Sequence, residues 1–421
     1  MIQNQKSVSV NGRTYAWPEA PLVVVCCDGS EPAYMEEARA KGLMPNLDRM
    51  IGKGENRLGL SAMPSFTNPN NLSIVTGRPP AVHGICGNYL IDPETGREVM
   101  MNDPKWLRAP TIFAAFQKAG AKVAVVTAKD KLRLLLGKGL AFDGSAICFS
   151  SERADKATLP DNGIEDARRL TGLPVPDVYS AELSEFVFAA GVKLLASMKP
   201  DLMYLSTTDY VQHKHAPGAA KANDFYAMMD RYLGELDAQG AIVVIVADHG
   251  MKDKHLANGE PDVVFLQDVL DEKFGAGKTK VILPITDPYV VHHGALGSFA
   301  TVYLYGPTPQ EALAFIARQP GIDVVLGRPE GCARFELPED RMGDLIIVSG
   351  GEKHSKVIGT SRDKHDLSGL TEPLRSHGGL SEQEIPIIVN RKTQGLAGTL
   401  RNFDAFAIGC NHIAARQDAA A

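Results

Sequence analysis

The chain has 421 residues, of which 44% are hydrophobic and 22% charged, and its formal net charge is -6. Its length suits a large buried core plus a smaller second domain, and no apolar run is long enough to cross a membrane. The acidic balance argues against a broad nucleic-acid or anionic-membrane surface, so we expect a small anionic molecule in a local basic pocket, with no nucleic acid and no membrane as partner.

The N-terminal residues 1–18 mix Gln, Lys, Asn and Arg and lack the apolar segment of a secretory signal. The six cysteines are scattered without a CxxC pair, which is typical of buried thiols in a reducing compartment. We therefore expect a cytoplasmic protein, and we keep a homodimer as a candidate assembly.

Short β-branched runs alternate with helix-like stretches along the chain. The runs lie at residues 22–27, 122–127, 202–206, 241–247 and 385–390. Because near-continuous apolar runs suit strands that are buried on both faces, this alternation predicts an α/β core in which helices sandwich a mostly parallel sheet.

The sequence pattern changes between residues 255 and 370, where clusters of Pro and Gly separate additional strand-like and helix-like segments. We predict strands at 300–305, 324–326 and 345–348 and a helix at 309–318, in the order β-α-β-β. We interpret 255–370 as a smaller α+β cap inserted into a metal-binding catalytic core made of 1–254 and 371–421. The core then resumes near Ser376 and completes its sheet at 385–390.

Charged residues follow three of the predicted strands. Asp28 follows the first run, Asp209 the third, and Asp248 and His249 the fourth. In open parallel sheets the carboxyl ends of the strands form the ligand crevice. These side chains are therefore expected to meet at one edge of the sheet.

Two further histidines extend this group. His213 lies four residues after Asp209, so one helical turn would place the carboxylate and the imidazole on the same face. His377 lies in a Ser-His-Gly-Gly loop that can approach closely. Taken singly, each motif is more often a surface pair or a structural histidine, but together they offer the mixed oxygen and nitrogen ligands that zinc accepts.

Thr67 is the candidate nucleophile. Pro64 and Pro69 stiffen the chain around it. A threonine hydroxyl is a poor nucleophile at neutral pH, but coordination to a divalent metal lowers its pKa. If Thr67 begins a helix, the backbone N–H groups there also favour an anionic phosphoryl group. The alternative for an isolated motif is a threonine that serves only as a helix cap.

A series of motifs runs in order through most of the chain. They are Asp28-Gly29, Pro64-x-x-Thr67-x-Pro69-Asn70, Thr76-Gly77, His83-Gly84, Asn88, Asp209-x3-His213, Asp248-His249-Gly250 and His377-Gly378. Together they resemble the alkaline phosphatase superfamily, more narrowly its nucleotide pyrophosphatase/phosphodiesterase branch, and within that branch the phosphonoacetate hydrolases. The resemblance implies an alkaline-phosphatase-like fold.

The resemblance also implies roles for individual residues and two Zn²⁺ ions as cofactors. One ion would be held by Asp28, Thr67, Asp248 and His249, and the other by Asp209, His213 and His377. Asn88 would donate a hydrogen bond to a phosphoryl oxygen.

Two lysines follow the run at 122–127, on the side of the sheet where the metals are expected. Lys129 and Lys131 could simply belong to a solvated turn. Similarity to the phosphonoacetate hydrolase pattern favours instead a role in substrate binding. Cleavage of the C–P bond expels a basic carbanion unless charge passes into the neighbouring carboxylate, and two ammonium groups would stabilise that charge. His215 is a further candidate donor.

The expected reaction is therefore zinc-dependent hydrolysis of phosphonoacetate to acetate and phosphate, through a phosphothreonine at Thr67. A rival within the branch is a phosphodiesterase or nucleotide pyrophosphatase, for which Phe66, Tyr89 and Tyr210 could form an aromatic slot for a base. A rival from another class is a metal-binding protein without turnover. The presence of Thr67 argues against that rival, since a structural metal shell has no need of a nucleophile.

Overall fold

The computed structural model describes residues 6–287, 295–350, 356–365, 367, 370 and 372–414. The strands are β1 Ser7–Val10, β2 Arg13–Ala16, β3 Leu22–Cys26, β4 Glu55–Leu60, β5 Tyr89–Ile91, β6 Glu98–Met100, β7 Val123–Thr127, β8 Ala146–Ser150, β9 Leu202–Ser206, β10 Ile242–Val246, β11 Lys252–Asp253, β12 Val263–Phe265, β13 Thr279–Ile282, β14 Phe299–Leu304, β15 Ile322–Gly327, β16 Leu345–Ser349, β17 Val357–Gly359, β18 Arg375–Ser376, β19 Glu384–Val389 and β20 Leu400–Arg401.

The α-helices are α1 Pro32–Ala40, α2 Pro45–Lys53, α3 Thr67–Thr76, α4 Pro80–His83, α5 Ile112–Lys118, α6 Asp130–Leu136, α7 Leu159–Asn162, α8 Arg168–Thr171, α9 Glu182–Ser197, α10 Tyr210–Lys214, α11 Ala220–Ala238, α12 Leu266–Phe274, α13 Pro309–Ile316, α14 Arg328–Phe335 and α15 Ala405–Asn411. Among the described helices, none combines the length and the apolar character that a membrane crossing requires.

The central sheet has eight strands in the order β20-β4-β19-β10-β3-β9-β7-β8. All neighbours from β10 to β8 are parallel, whereas β19 is antiparallel to both β10 and β4. Every residue of β3, β7, β9 and β10 is buried, as the near-continuous apolar runs predict. The predicted mostly parallel α/β core is confirmed.

Helices cover both faces of this sheet. Along β3, Val23 and Val25 pack with residues of α1, α2, α9 and α11. Val24 and Cys26 point the other way and pack with residues of α3, α5, α6 and α15. Successive side chains of a strand alternate between faces, so one apolar run supports both helical layers.

The prediction that the sheet is completed at 385–390 is wrong. Strand β19 lies inside the sheet, and β4 and β20 extend it further to the edge. Three of the six residues of β4 are exposed, and its sequence, Glu-Asn-Arg-Leu-Gly-Leu, has no apolar run. Strand β4 lies between β19 and the two-residue edge strand β20, and its backbone hydrogen bonds hold it there, so hydrophobic periodicity does not reveal it.

The predicted cap segment contains an antiparallel sheet in the order β13-β14-β16-β15. Its predicted strands and helix are present, but the β-α-β-β order is incomplete because β13 precedes it and α14 lies between β15 and β16. Pro329 lies in the first turn of α14, where its missing N–H removes no intrahelical hydrogen bond, and Cys332 and Phe335 of this helix are buried. The limits 255–370 stay a prediction.

Candidate active site

The carboxyl edge of the central sheet brings the predicted ligands together. Asp248, Asp28, Asp209 and Lys129 follow β10, β3, β9 and β7, which are four adjacent parallel strands. The three aspartates are buried, with at most 2% of their surface exposed. Adjacent parallel strands end side by side, so each loop delivers its charged residue to the same place.

A first group consists of Asp209, His213 and His377, whose ligand atoms all lie within 4.8 Å of one another. Asp209 precedes α10, and the backbone N–H of His213 donates to its carbonyl one turn later. The Nε2 atoms of His213 and His377 lie 3.0 and 3.7 Å from Asp209 Oδ2. The four-residue spacing thus produces the arrangement expected from it.

A second group consists of Asp28, Asp209 and His249. His249 Nε2 lies 3.4 Å from Asp28 Oδ1 and 3.8 Å from Asp248 Oδ2. Asp209 therefore belongs to both groups, whereas the predicted division assigned it to one. Asp248 lies beside the second group, and its Oδ2 accepts a hydrogen bond of 3.1 Å from Asn71 Nδ2.

All three site histidines are held in the same tautomer. Nδ1 of His213, His249 and His377 lies 2.8, 2.8 and 2.9 Å from the carbonyl oxygens of Arg375, Gly250 and Ser65. A carbonyl oxygen only accepts, so Nδ1 carries the proton and donates it. This leaves Nε2 of each ring directed towards the aspartates, and Nε2 is the atom that would bind a metal.

Two glycines allow the ligand loops to turn. Gly29 follows Asp28 with φ +70°, and a Cβ there would lie 3.0 Å from the Cβ of Asp209. Gly378 follows His377 with φ +115°, and a Cβ there would overlap the ring of Phe66. A side chain at either position would combine a strained backbone with a close contact, which explains the Asp-Gly and His-Gly pairs.

Thr67 is the first residue of α3, as predicted. Its Oγ1 lies 3.3 Å from His249 Nε2. One turn further along the helix, Asn71 Nδ2 donates to Thr67 O at 3.0 Å. Helix geometry leaves the N–H groups of Thr67 and Asn68 without an intrahelical acceptor, so this helix start favours an anion beside the hydroxyl.

The buried carboxylates of the site carry negative charge that a cation would neutralise. Burial and the neighbouring Asp209 and Asp248 raise the pKa of Asp28 well above its usual value. Among the described residues, no hydrogen-bond donor serves either carboxylate oxygen of Asp28. Burial by itself would raise the pKa of Asp209 as well, but Lys129 and His213 outweigh it and hold that pKa well below its usual value.

These donors fit divalent metal ions. Buried carboxylate oxygens and Nε2 lone pairs converge, and a cation would satisfy the oxygens of Asp28 that lack a donor. Burial, followed by the neighbouring His249 and His213, lowers the pKa of His377 well below its usual value, so that ring stays neutral and able to bind a metal.

A cavity of about 180 Å³ opens beside this cluster. Thr67, Asn88, Lys129 and Lys131 all line it, so the structure brings the predicted nucleophile and these predicted substrate contacts to one place. His215 is not one of the described residues that line it. Its backbone carbonyl accepts a hydrogen bond from Tyr34 at the end of α10.

Sequence reasoning missed two residues of this site. Asn71 connects Thr67 to Asp248, and its Oδ1 accepts from Tyr204 and Ser206 at 2.7 and 2.8 Å. Its four-residue spacing from Thr67 was a signal that could have revealed it. Asp287 also lines the cavity and comes from the predicted cap segment, where nothing in the local sequence indicates its position.

The family model for type I phosphodiesterase / nucleotide pyrophosphatase matches residues 22–379. An uncharacterized pyrophosphatase/phosphodiesterase of Schizosaccharomyces pombe is 24% identical over 242 residues, which is 55% of this chain and 45% of that protein. The rat ectonucleotide pyrophosphatase/phosphodiesterase family member 3 is 23% identical over 55% of this chain and 25% of its own length. The match thus spans less than half the length of these curated relatives.

Solved structures give a fuller match. Phosphonoacetate hydrolase from Sinorhizobium meliloti 1021, solved in complex with phosphonoformate and with phosphonoacetate, is 63% identical, with a TM-score of 0.94 over 97% of this chain and 99% of that one. Murine ectonucleotide pyrophosphatase/phosphodiesterase 5 is 17% identical with a TM-score of 0.63, which shows a shared fold. This chain belongs to the type I phosphodiesterase/nucleotide pyrophosphatase family of the alkaline phosphatase superfamily.

Proposed function

We propose that this protein is a metal-dependent hydrolase that cleaves the C–P bond of phosphonoacetate to give acetate and phosphate. The observation that carries the proposal is the composition of one cavity, which is lined by a threonine at a helix start, by Asp209 and His377 of the carboxylate–imidazole cluster and by two lysines. The 63% identity to a phosphonoacetate hydrolase over nearly the whole chain supports it.

The cofactors that we propose are two zinc ions. Asp28, Thr67, Asp248 and His249 would hold one, and Asp209, His213 and His377 the other. Mixed carboxylate and imidazole ligands suit zinc, and the Nε2 lone pairs are already directed inwards. When bound, the ions lower the pKa of a coordinated hydroxyl and neutralise charge on phosphoryl oxygens.

Thr67 performs the first step. Its Oγ1 gives up the hydroxyl proton to solvent and forms a bond to phosphorus, the C–P bond breaks, and the electron pair leaves with the acetate carbon, which takes one proton from solvent. The N-terminus of α3 stabilises the phosphoryl oxygens, and the amide of Asn88 donates to one of them. Water then cleaves the phosphothreonine, which releases phosphate and restores the hydroxyl.

Lys129 and Lys131 act on the leaving group. Charge that develops on the departing carbon passes into the adjacent carboxylate, and the two ammonium groups lining the cavity stabilise it there. His215 is half-buried at the end of α10. Its role as a further hydrogen-bond donor stays a prediction. A homodimer and a cytoplasmic location likewise stay predictions.

One observation favours a second candidate, a phosphodiesterase. Tyr179 and Tyr210 line the cavity with their ring centroids 6.4 Å apart, which offers an aromatic wall to a base. Of the slot predicted from sequence, Phe66 and Tyr210 line the cavity, but Phe66 is only 1% exposed and packs against His377. Tyr89 is not one of the described residues that line it.

A substrate screen that detects each product tests the proposal, with phosphate measured for phosphonates and nitrophenol measured for the aryl phosphate ester and for aryl phosphodiesters. Zinc-loaded protein is assayed with phosphonoacetate, other phosphonates, an aryl phosphate ester and phosphodiesters at matched concentrations. We expect phosphonoacetate to give the highest kcat/KM. A phosphodiester as the best substrate would overturn the assignment in favour of the second candidate, and turnover of none of them would favour a protein that only binds metal.

A further inference from the structure

The two lysines of the cavity have different partners. Lys129 Nζ lies 3.0 Å from Asp209 Oδ1 and 3.6 Å from Asp28 Oδ2, so it contacts the candidate metal ligands. Lys131 Nζ instead lies 2.8 Å from both carboxylate oxygens of Asp287. One ammonium group therefore belongs to the metal cluster and the other to an ion pair across the cavity.

Asp287 reaches the cavity from the predicted cap segment. It follows β13, and its side chain is 11% exposed, against 37% for Lys131. Ile285 lines the same cavity two residues earlier and its carbonyl accepts a hydrogen bond from Asn88 Nδ2 at 3.2 Å, which fixes this segment against the core. The carboxylate of Asp287 is thus held where it meets Lys131.

Asp287 places both of its carboxylate oxygens against the ammonium group of Lys131. The carboxylate of phosphonoacetate would make the same contact with Lys131. We propose that Asp287 limits the affinity for substrates that carry a carboxylate, because it occupies Lys131 as an internal counterpart of the substrate carboxylate, which must displace it. This inference rests on the proposed function. A substrate that carries a carboxylate exchanges one ion pair for another, whereas a substrate without one leaves the pair of Lys131 and Asp287 intact.

The exchange has a measurable consequence. Two carboxylates that compete for one ammonium group repel each other, so Asp287 weakens the binding of every carboxylate at Lys131. For a half-exposed ion pair, the contribution of up to about 1 kcal/mol corresponds to about fivefold in affinity. Asp287→Asn removes the competing charge and keeps the size of the side chain.

The experiment uses zinc-loaded wild type, Asp287→Asn, Lys131→Met and the double variant. We measure kcat and KM for phosphonoacetate and for an aryl phosphate, together with inhibition of aryl phosphate hydrolysis by acetate. In Asp287→Asn we expect the KM for phosphonoacetate and the inhibition constant of acetate to fall about fivefold. The double variant should gain nothing over Lys131→Met, because the group being competed for is gone.

Asp262→Asn is the matched control. Asp262 also pairs with a lysine of the predicted cap segment, Lys356, but it is not one of the described residues that line the cavity. An unchanged or higher KM in Asp287→Asn, or the same change in Asp262→Asn, would overturn the inference. If wild type fails to hydrolyse phosphonoacetate, the proposed function falls, and acetate inhibition of aryl phosphate hydrolysis still decides the role of Asp287 by itself.

Discussion

The cavity has two walls of different origin. The core wall includes Asp209 and Lys129, which follow adjacent strands of the central sheet, and the buried Asp28 and Asp248 follow the next two strands beside it. The opposite wall includes Ile285 and Asp287, which follow β13 in the predicted cap segment. Strand order alone fixes the first wall, whereas the second depends on how an inserted segment packs. We therefore expect the residues of the core wall to carry the chemistry that a family shares. We expect the opposite wall to influence which substrate is used.

The strongest test of the core wall is Thr67→Ala. Loss of the nucleophile should lower kcat on the order of 10⁴-fold or more, while metal content stays close to wild type because the carboxylates and imidazoles remain. Thr67→Ser keeps a hydroxyl and should retain part of the activity. Metal analysis alongside kinetics checks both statements. If the alanine variant kept most of its rate, direct attack by water would replace the covalent intermediate.

The two walls also differ in how far the sequence could predict them. Asp28, Asp209 and Asp248 were predictable because apolar runs identify the strands, and the end of each strand fixes the position of the next residues in the chain. The spacing from Asp209 to His213 was equally informative, since one helical turn decides it. Asp287 was not predictable, because its place depends on the packing of β13 and on contacts with residues far away in the chain.

A second limit concerns residues shared between groups. The resemblance implied a division of the ligands into two sets, but in the structure Asp209 lies within reach of both groups. Likewise, β4 escaped prediction because three of its six residues are exposed and it has no apolar run. In each case tertiary packing, rather than local propensity, decides the outcome.

The second prediction concerns metal content in the core wall. We expect about two zinc ions per chain in wild type, and loss of a metal should lower kcat/KM by about 10³-fold or more, because metals supply several kcal/mol of charge stabilisation. His377→Ala should empty mainly one site, whereas Asp209→Asn should weaken both because Asp209 lies in both groups. Metal analysis after dialysis, with activity restored by added zinc, measures this difference.

His412→Ala is the control for this series, since His412 lies at the end of α15 and contacts Gln394. It should keep wild-type metal content. Equal metal loss in Asp209→Asn and His377→Ala would contradict the shared position of Asp209. Full activity after chelation would contradict the metal mechanism altogether.

The third prediction tests a buried ion pair beside the junction between the core and the predicted cap segment. Lys254 is the last core residue before that segment, and its Nζ is 2.9 Å from Glu382 Oε1, with both side chains at most 1% exposed. Glu382 Oε2 accepts from the N–H of Gly379, two residues after His377. Removal of one partner leaves a buried charge without its counter-ion, so Lys254→Met or Glu382→Gln should each lower the free energy of unfolding by about 3–5 kcal/mol.

The double variant should recover part of this loss, because no buried charge is left uncompensated. Denaturant unfolding of the zinc-loaded protein gives the numbers. Arg168→Ala breaks an exposed pair with Asp166 and should cost at most about 1 kcal/mol. Single variants as mild as this control would show that the buried pair does not stabilise the core at this junction.

The last and smallest expected effect distinguishes the roles of Lys129 and Lys131. It also distinguishes cleavage of a C–P bond from cleavage of a P–O bond. If Lys131 receives charge on a carboxylate leaving group, Lys131→Met should harm phosphonoacetate more than an aryl phosphate, whose leaving group is already stable. A charge-assisted contact of about 1.5 to 3 kcal/mol corresponds to at least about tenfold in the ratio of the two kcat/KM values.

Lys129→Met should behave differently. Desolvation alone would lower the pKa of Lys129, but the carboxylates of Asp209 and Asp28 outweigh it and raise that pKa, so its charge is part of the metal cluster. We expect its loss to lower turnover of both substrates and to alter zinc affinity, with a smaller change in their ratio. The ratio cancels any loss common to both reactions. Equal losses on the two substrates in Lys131→Met would make that lysine a general phosphate binder, and substrate choice would then have to come from the aromatic wall of Tyr179 and Tyr210.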